Sequence, residues 1–186
     1  MPSPTPRTSP PWSRCSNRDK KGLSMDISIV PGYDTPQTFI PLFREYTDIL
    51  VAESPGFAKY LQMQGYDSEL LHPEVKYAMP HGRLYLARYN GEVAGCVALK
   101  RLDGRSCEMK RLYVRPKFQG LHIGRRLAEQ VIADAREIGY DAMLLDTLPT
   151  LRPAIGLYKT LGFYEVPRYN ENPVDGCVYM RLDLKG

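Results

Sequence analysis

Two hydrophobic rhythms alternate along this chain, one of helical spacing and one of strand alternation, and their order predicts the architecture. Ile27 and Ile29 alternate with polar neighbours over Asp26 to Val30, which predicts a short strand turned by Pro31-Gly32. Phe39, Leu42, Phe43, Tyr46, Ile49 and Leu50 then recur at three- and four-residue spacing. That predicts an amphipathic helix with Pro36 at its first position and Asp34 or Thr35 as its cap. A second helical segment is expected from about Phe57 to Leu71, broken near Gly65. Gly82 to Tyr89 and Val93 to Leu102 read as strands joined by Asn90-Gly91, a strong hairpin signal. Asp103-Gly104 supplies the next tight turn, into a strand from Cys107 to Val114. Three strands joined by two hairpins make an antiparallel meander.

The second half changes rhythm. Ile123, Leu127, Val131, Ala135 and Ile138 form one stripe of a helix that Gly139 ends as a C-cap. Ala142-Met143-Leu144-Leu145 is an unbroken apolar run, as expected of a strand buried on both faces. Strand, helix and strand make a βαβ unit, so the two strands are expected to be parallel. A further helix is predicted from about Thr150 to Leu161, capped by Thr150, with Leu151, Ala154, Ile155, Tyr158 and Leu161 inward. Phe163 to Val166 and Cys177 to Leu184 are the last expected strands. Between them, Pro167 to Gly176 is too long for a tight hairpin. It is either an acceptor-specificity loop or a plain excursion. The expected fold is α/β (α+β), a mixed, mostly antiparallel sheet of about six or seven strands flanked by about four helices.

Composition narrows the choice of partner. The 186 residues, 43% hydrophobic and 25% charged, suit one soluble domain with a real core. The formal charge of +4 comes from the first 24 residues. They hold Arg7, Arg14, Arg18, Lys20 and Lys21 against Asp19, which leaves 20 basic and 20 acidic residues in 25–186. A neutral domain has no electrostatic footprint for nucleic acid. Residues 1–24 are rich in Pro, Ser and Arg, a disordered composition, and we expect the functional chain to be a single domain over 25–186 beginning at Met25. No apolar run approaches a membrane span of about 18 residues. Cys15, Cys96, Cys107 and Cys177 are scattered, which suits reduced thiols and a cytoplasmic setting. His72, His81 and His122 show no metal-ligand spacing, so no metal is expected.

The candidate chemistry begins at the strand-to-helix turn. Arg111-Leu112-Tyr113-Val114 feeds through Arg115-Pro116 into Gln119-Gly120-Leu121-His122-Ile123-Gly124 and the helix. A glycine turn at a helix N-terminus aims unpaired N–H groups at one point, and the helix dipole adds partial positive charge. The turn is either an anion site for a phosphate or pyrophosphate, or a plain strand-to-helix turn with glycines for sharpness. Polar residues on the early helices, notably Glu45, Asp48, Glu53 and Glu69, either meet a cationic acceptor or form a solvated face.

This turn resembles the Gln/Arg-x-x-Gly-x-Gly/Ala loop of the GNAT N-acetyltransferases, which holds the pyrophosphate of acetyl-CoA. The Val114-Arg115-Pro116 lead-in and the later Leu157-Tyr158-Lys159-Thr160-Leu161-Gly162-Phe163 are also typical of that family. The resemblance covers roughly residues 26 to 184 and is sharpest from Glu108 to Phe163. His122 stands where the family usually has the loop's middle glycine, and Leu151 where many members have an asparagine.

The resemblance implies a GNAT-like fold whose βαβ unit binds an acyl-CoA. It implies an acetyl-CoA-dependent N-acetyltransferase that moves an acetyl group to a primary amine, a small molecule or an amino terminus, by direct transfer in a ternary complex. The pyrophosphate would sit on Gln119, Gly120, Leu121, His122, Ile123, Gly124 and Arg125, and the pantetheine arm along Leu112, Tyr113 and Val114. Glu108 falls on the position of a strand glutamate that is the general base in some members; the other reading is an ion pair with Lys110 or Arg111. Tyr158 matches the tyrosine that protonates the CoA thiolate in many members, and its spacing equally allows a core tyrosine. His122 either reaches a phosphate oxygen or points to solvent. A non-catalytic acyl-CoA-binding module would carry the same motifs. No metal or membrane is implied, and a monomer or a homodimer paired through strand edges is expected.

Overall fold

The computed structural model describes residues 24–185 together with Asn17–Arg18. Asn17–Arg18 (β1) and Ser24–Met25 (β2) pair as a short antiparallel ladder. Apart from these, the expectation of a separate tail over 1–24 falls outside the described residues.

A mixed seven-stranded open sheet organises the rest, in the order β3-β4-β5-β6-β7-β9-β8. The meander forms as the turns dictate: β3 (Ile27–Pro31), β4 (Arg83–Tyr89), β5 (Glu92–Arg101) and β6 (Ser106–Val114) pair antiparallel in succession. Asn90 has a φ of 49° and Gly91 of 83°, the left-handed pair that a two-residue hairpin requires. β7 (Ala142–Thr147) lies parallel to β6, as the βαβ unit demands. β9 (Val178–Asp183) then pairs antiparallel with β7, and β8 (Tyr164–Glu165) with β9.

Both faces are covered. α5 (Ile123–Ile138) puts Ile123, Leu127, Val131 and Ala135 into a core with Val97, Leu99, Met109 and Met143, joined by Tyr158 of α6 (Arg152–Thr160). The other face takes α1 (Pro36–Glu53), α2 (Gly56–Met63), α3 (Tyr66–Leu71) and α4 (Glu74–Tyr77). Here Phe39, Leu42, Phe43, Leu70 and Tyr77 bury against Leu84, Leu86, Cys96 and Ala98. Neighbours on β5 therefore face opposite cores, and six consecutive residues of that strand are buried.

Some expectations need correction. The described residues form six α-helices where about four were expected: the Phe57–Leu71 segment breaks at Gly65 (φ 66°) as expected, which makes two helices of it, and the unanticipated α4 follows. α4 is one turn long, too short for a periodic signal. Neither predicted cap bond forms: α1 begins after Thr35 without a side-chain cap, and α6 is preceded by Leu151 rather than capped by Thr150. The strand expected over Phe163 to Val166 shrinks to two residues.

Two irregularities position the cleft described below. Cys96 pairs with Tyr113 but Ala98 with Lys110, so Val97 alone spans Arg111 and Leu112. This β-bulge has Arg111 in the left-handed region, φ 57°. On the other edge, β6 pairs with β7 only from Ser106 to Glu108, and the two strands part beyond. Arg111 is 4% exposed and its guanidinium grips Glu69 of α3, Nε to Oε1 at 2.7 Å and Nη2 to Oε2 at 2.9 Å. Lys76 (2.7 Å) and the Tyr77 hydroxyl (2.8 Å) also donate to Glu69. Glu69 is thus neither a solvated residue nor free; Asp48 and Glu53 are exposed, and Glu45 pairs with Arg115 at 2.7 Å.

Burial raises the proton affinity of Glu69, but the Arg111 guanidinium and Lys76 outweigh it and hold the carboxyl at about 2, against an ordinary 4.5. The pair's contribution to stability is therefore full above pH 4.5 and lost as pH falls toward 2. Urea unfolding of Glu69→Gln should show a loss of about 3 kcal/mol at pH 7, as for a broken buried pair. Between pH 5 and pH 2 the variant should lose less further stability than the wild type.

Candidate active site

Where β6 and β7 part, a cleft of about 500 Å³ opens between β6, the N-terminal turn of α5 and α6. Leu112, Tyr113 and Val114 form one wall. Gln119, Gly120, His122, Ile123, Gly124 and Arg125 close one end, and Tyr158 and Thr147 line the inner part. Of the residues predicted to hold a cofactor, only Leu121 is not in the lining.

The turn has the geometry its glycines suggested. Gly120 has a φ of 81° and His122 a φ of 60°. The left-handed position explains why a glycine suits residue 122, and histidine is among the residues that tolerate that region best. The His122 side chain makes no capping bond and is exposed. The first helical bond of α5 runs from Arg126 N–H to the His122 carbonyl at 3.1 Å. The N–H groups of Ile123, Gly124 and Arg125 precede it, so they have no partner within the helix, and all three residues line the cleft. Arg125 is held sideways by Glu129 (2.9 Å) and the Thr160 hydroxyl (2.6 Å).

Tyr158 is 6% exposed, its ring 5.8 Å from that of Phe163. Its hydroxyl has no hydrogen-bond partner among the described residues. Burial, helped by Tyr46 and Asp146, pushes its phenol up, so the group is held neutral and keeps a proton to donate.

Glu108 lies elsewhere, in a second cavity of about 550 Å³ under α2 and α4 and the 167–176 loop. It accepts from the Tyr169 hydroxyl at 2.7 Å, and the same Oε1 is 3.6 Å from Lys110 Nζ. The alternative partner, Arg111, is committed to Glu69. Between the two cavities a small junction is lined by Tyr60, Lys110, Leu112, Asp146, Thr147 and Tyr158, among others. It shares Tyr60 and Lys110 with the Glu108 cavity, and Leu112, Thr147 and Tyr158 with the cleft. Glu108 and Tyr158 therefore border two spaces that the junction's residues separate.

Sequence reasoning missed the charged core of this junction. Lys110 Nζ is 3.3 Å from Asp146 and 5.8 Å from the centre of the Tyr60 ring. Burial lowers the proton affinity of Lys110, but Asp146 and Glu108 outweigh it and keep the ammonium charged. Burial raises that of Asp146, and Lys110 and Asn172 outweigh it in turn. A signal existed: Glu108 and Lys110, two apart on a strand, share a face, and Asp146 ends an apolar run in a central strand. The 167–176 loop is tied to this network. Asn172, 1% exposed, donates to Asp146 at 2.8 Å and to Cys177 Sγ at 3.3 Å, and accepts from Val174 N–H at 3.0 Å. Among the described residues no group of three or more His, Cys, Asp or Glu could hold a metal, and no helix is long and apolar enough to cross a membrane.

Comparison with known proteins gives the family and the fold. The model of the acetyltransferase (GNAT) family matches residues 45–163. An uncharacterized N-acetyltransferase of Schizosaccharomyces pombe is 45% identical over 130 residues, covering 69% of this chain and 80% of the relative. The fold is that of an acetyltransferase from Streptococcus agalactiae, with a TM-score of 0.68 at 21% identity over 84% of this chain and 98% of that one. It is also that of a Salmonella typhimurium protein solved with its cofactor acetyl-CoA, with a TM-score of 0.58 at 18% identity over 86% of this chain and 94% of that one.

The Asn172 bonds give a direct expectation. Asn172→Ala removes the loop's buried anchors and should lower stability by about 2 kcal/mol in urea. Limited proteolysis should show the chain cut faster within 167–176 than in the wild type. An unchanged cleavage rate would mean that the loop is held by other contacts.

Proposed function

The chain belongs to the acetyltransferase (GNAT) family and is an acyltransferase, and from that premise we propose that it moves an acetyl group from acetyl-CoA to a primary amine by direct transfer. The observation that carries this reading is the meeting of two cavities. One has unpaired N–H groups at a helix N-terminus, and the other has a strand carboxylate. In this reading the pyrophosphate rests on the N–H groups from Gly120 to Gly124, and the pantetheine arm follows Leu112 to Val114. That edge of β6 has no β7 ladder beyond Glu108, so its backbone groups have no strand partner there and serve the arm's amides, with one N–H for the thioester oxygen. The acetyl-CoA-bound Salmonella protein of the same fold supports the choice of donor.

The amine arrives as an ammonium ion, and its neutral form at pH 7 costs about 4–5 kcal/mol for a lysine-like group. Glu108 takes that proton, directly or through one water. The nitrogen then forms its bond to the thioester carbon, and the tetrahedral adduct collapses with breakage of the C–S bond. The sulfur takes the Tyr158 proton, and the second nitrogen proton restores the phenol. The Tyr158 phenol is harder to deprotonate than a free one, but the thiolate appears in the same poorly solvated cleft, which raises its own demand for a proton. Cys177, the cysteine at the junction, is pushed up to about 11 by burial, which makes it a poor nucleophile and favours transfer without an acyl-enzyme.

Calorimetric titration with acetyl-CoA tests the donor site. We expect micromolar binding, weakened by about 100-fold in Gly124→Glu, which places a carboxylate where the pyrophosphate would sit. In an assay of released thiol over an amine panel, Tyr158→Phe should lower kcat by about 100-fold and leave acetyl-CoA binding intact. Unchanged kcat in that variant would remove Tyr158 from the acid role.

A further inference from the structure

We propose that Tyr46 is a further catalytic residue, whose hydroxyl donates a hydrogen bond to the thioester oxygen as negative charge develops there. The inference rests on the transferase reading above and deepens it. Its basis is the neck where the donor cleft narrows into the junction. Tyr46, Leu112, Thr147 and Tyr158 line both spaces. A pantetheine arm that follows β6 from Val114 to Leu112 brings its thioester to this neck. The β6 N–H assigned to the thioester oxygen leaves a lone pair of that oxygen without a donor.

Tyr46 comes to the neck from α1. It stands between Phe43 and Leu50, about one turn to either side and both buried, which puts it on the inner face of the helix. Its ring lies 5.8 Å from that of Tyr113, with 33° between the planes. Packing thus holds the ring, while the hydroxyl has no hydrogen-bond partner among the described residues. Nor is that hydroxyl sealed. Asn170 Nδ2 is the one fully enclosed side-chain nitrogen or oxygen without a partner among the described residues, so the Tyr46 and Tyr158 hydroxyls are both open to the cavity. A donor fixed by packing and unengaged in the free protein needs no reorganisation when charge appears.

The two phenols have different surroundings. Burial pushes Tyr46 up, and the next influences on it are the cations of Arg111 and Lys110, which act the other way and outrank Asp146. Burial also pushes Tyr158 up, but there Tyr46 and Asp146 add to the effect and no cation counts. Both phenols therefore stay neutral and keep a proton. Beside Tyr46 the buried cations favour negative charge on a neighbouring atom, which suits the oxyanion. Beside Tyr158 Asp146 disfavours it, which suits a thiolate that must take a proton. The Tyr46 proton is shared and not transferred: the carbonyl pair moves onto oxygen as nitrogen bonds to carbon, and returns as the C–S bond breaks.

The test uses the full chain and acetyl-CoA isotope-labelled at the thioester carbonyl. Difference infrared spectroscopy of the bound donor reads hydrogen bonding at that oxygen, since each donor lowers the stretching frequency. The wild-type band should lie below that of free acetyl-CoA. Tyr46→Phe should move it part of the way back, and Tyr158→Phe should leave it in place. In the assay of released thiol, Tyr46→Phe should lower kcat by about 100-fold, the effect of losing one oxyanion donor, with acetyl-CoA affinity unchanged. Phenylalanine keeps the ring contact with Tyr113, so a purely structural role for Tyr46 predicts an unmoved band. An unmoved band or a wild-type kcat in Tyr46→Phe would overturn the inference and leave the transferase reading standing. A wild type that binds acetyl-CoA and acetylates no amine of the panel would overturn both.

Discussion

A single buried guanidinium sets the terms for the rest of this molecule. Arg111 sits in the middle of the sheet with its backbone in the left-handed region and its side chain sealed from water. A desolvated charge of that kind is stable only when its partner is held in place, and Glu69 is that partner. The bond fastens α3 to the strand by charge as well as by packing. The bulge that aims the side chain toward the helices also disturbs β6 where it should continue beside β7. The ion pair's bulge and the parting of those strands fall within a few residues of each other on β6.

The polar groups around Lys110 extend the same logic. Lys110, Asp146, Glu108, Tyr169 and Asn172 are largely buried, and each has a partner with opposite or complementary character. In poor solvent such a network is rigid when complete and costly when broken. It joins β6, β7 and the 167–176 loop at the point where the two cavities meet. The loop is thereby part of the junction's frame, and its long, irregular course follows from the positions it has to reach.

Much of this was legible in the chain, and the division has a physical cause. The strand alternation, the hairpin at Asn90-Gly91, the α5 stripe ended by Gly139 and the turn at Gln119–Gly124 are local signals, and each formed as expected. The cleft wall and turn from Leu112 to Arg125 followed, because those residues lie together in sequence. Lys110 with Asp146, Arg111 with Glu69 and Tyr169 with Glu108 are separated by 36, 42 and 61 residues. No periodicity reports such pairings, since they exist only once the sheet order is fixed. Glu69 shows the difficulty: on a short helix it reads as a surface carboxylate, and only the bulge turns Arg111 toward it. The missing caps of α1 and α6 reflect the same override, since both helices are held by packing rather than by their first turns.

The two large cavities share no lining residue and touch only through the small junction between them. One lies beside α5 and α6 and the other beneath α2 and the 167–176 loop. On the proposed reading, donor and acceptor would occupy separate spaces, and neither would have to pass through the other's.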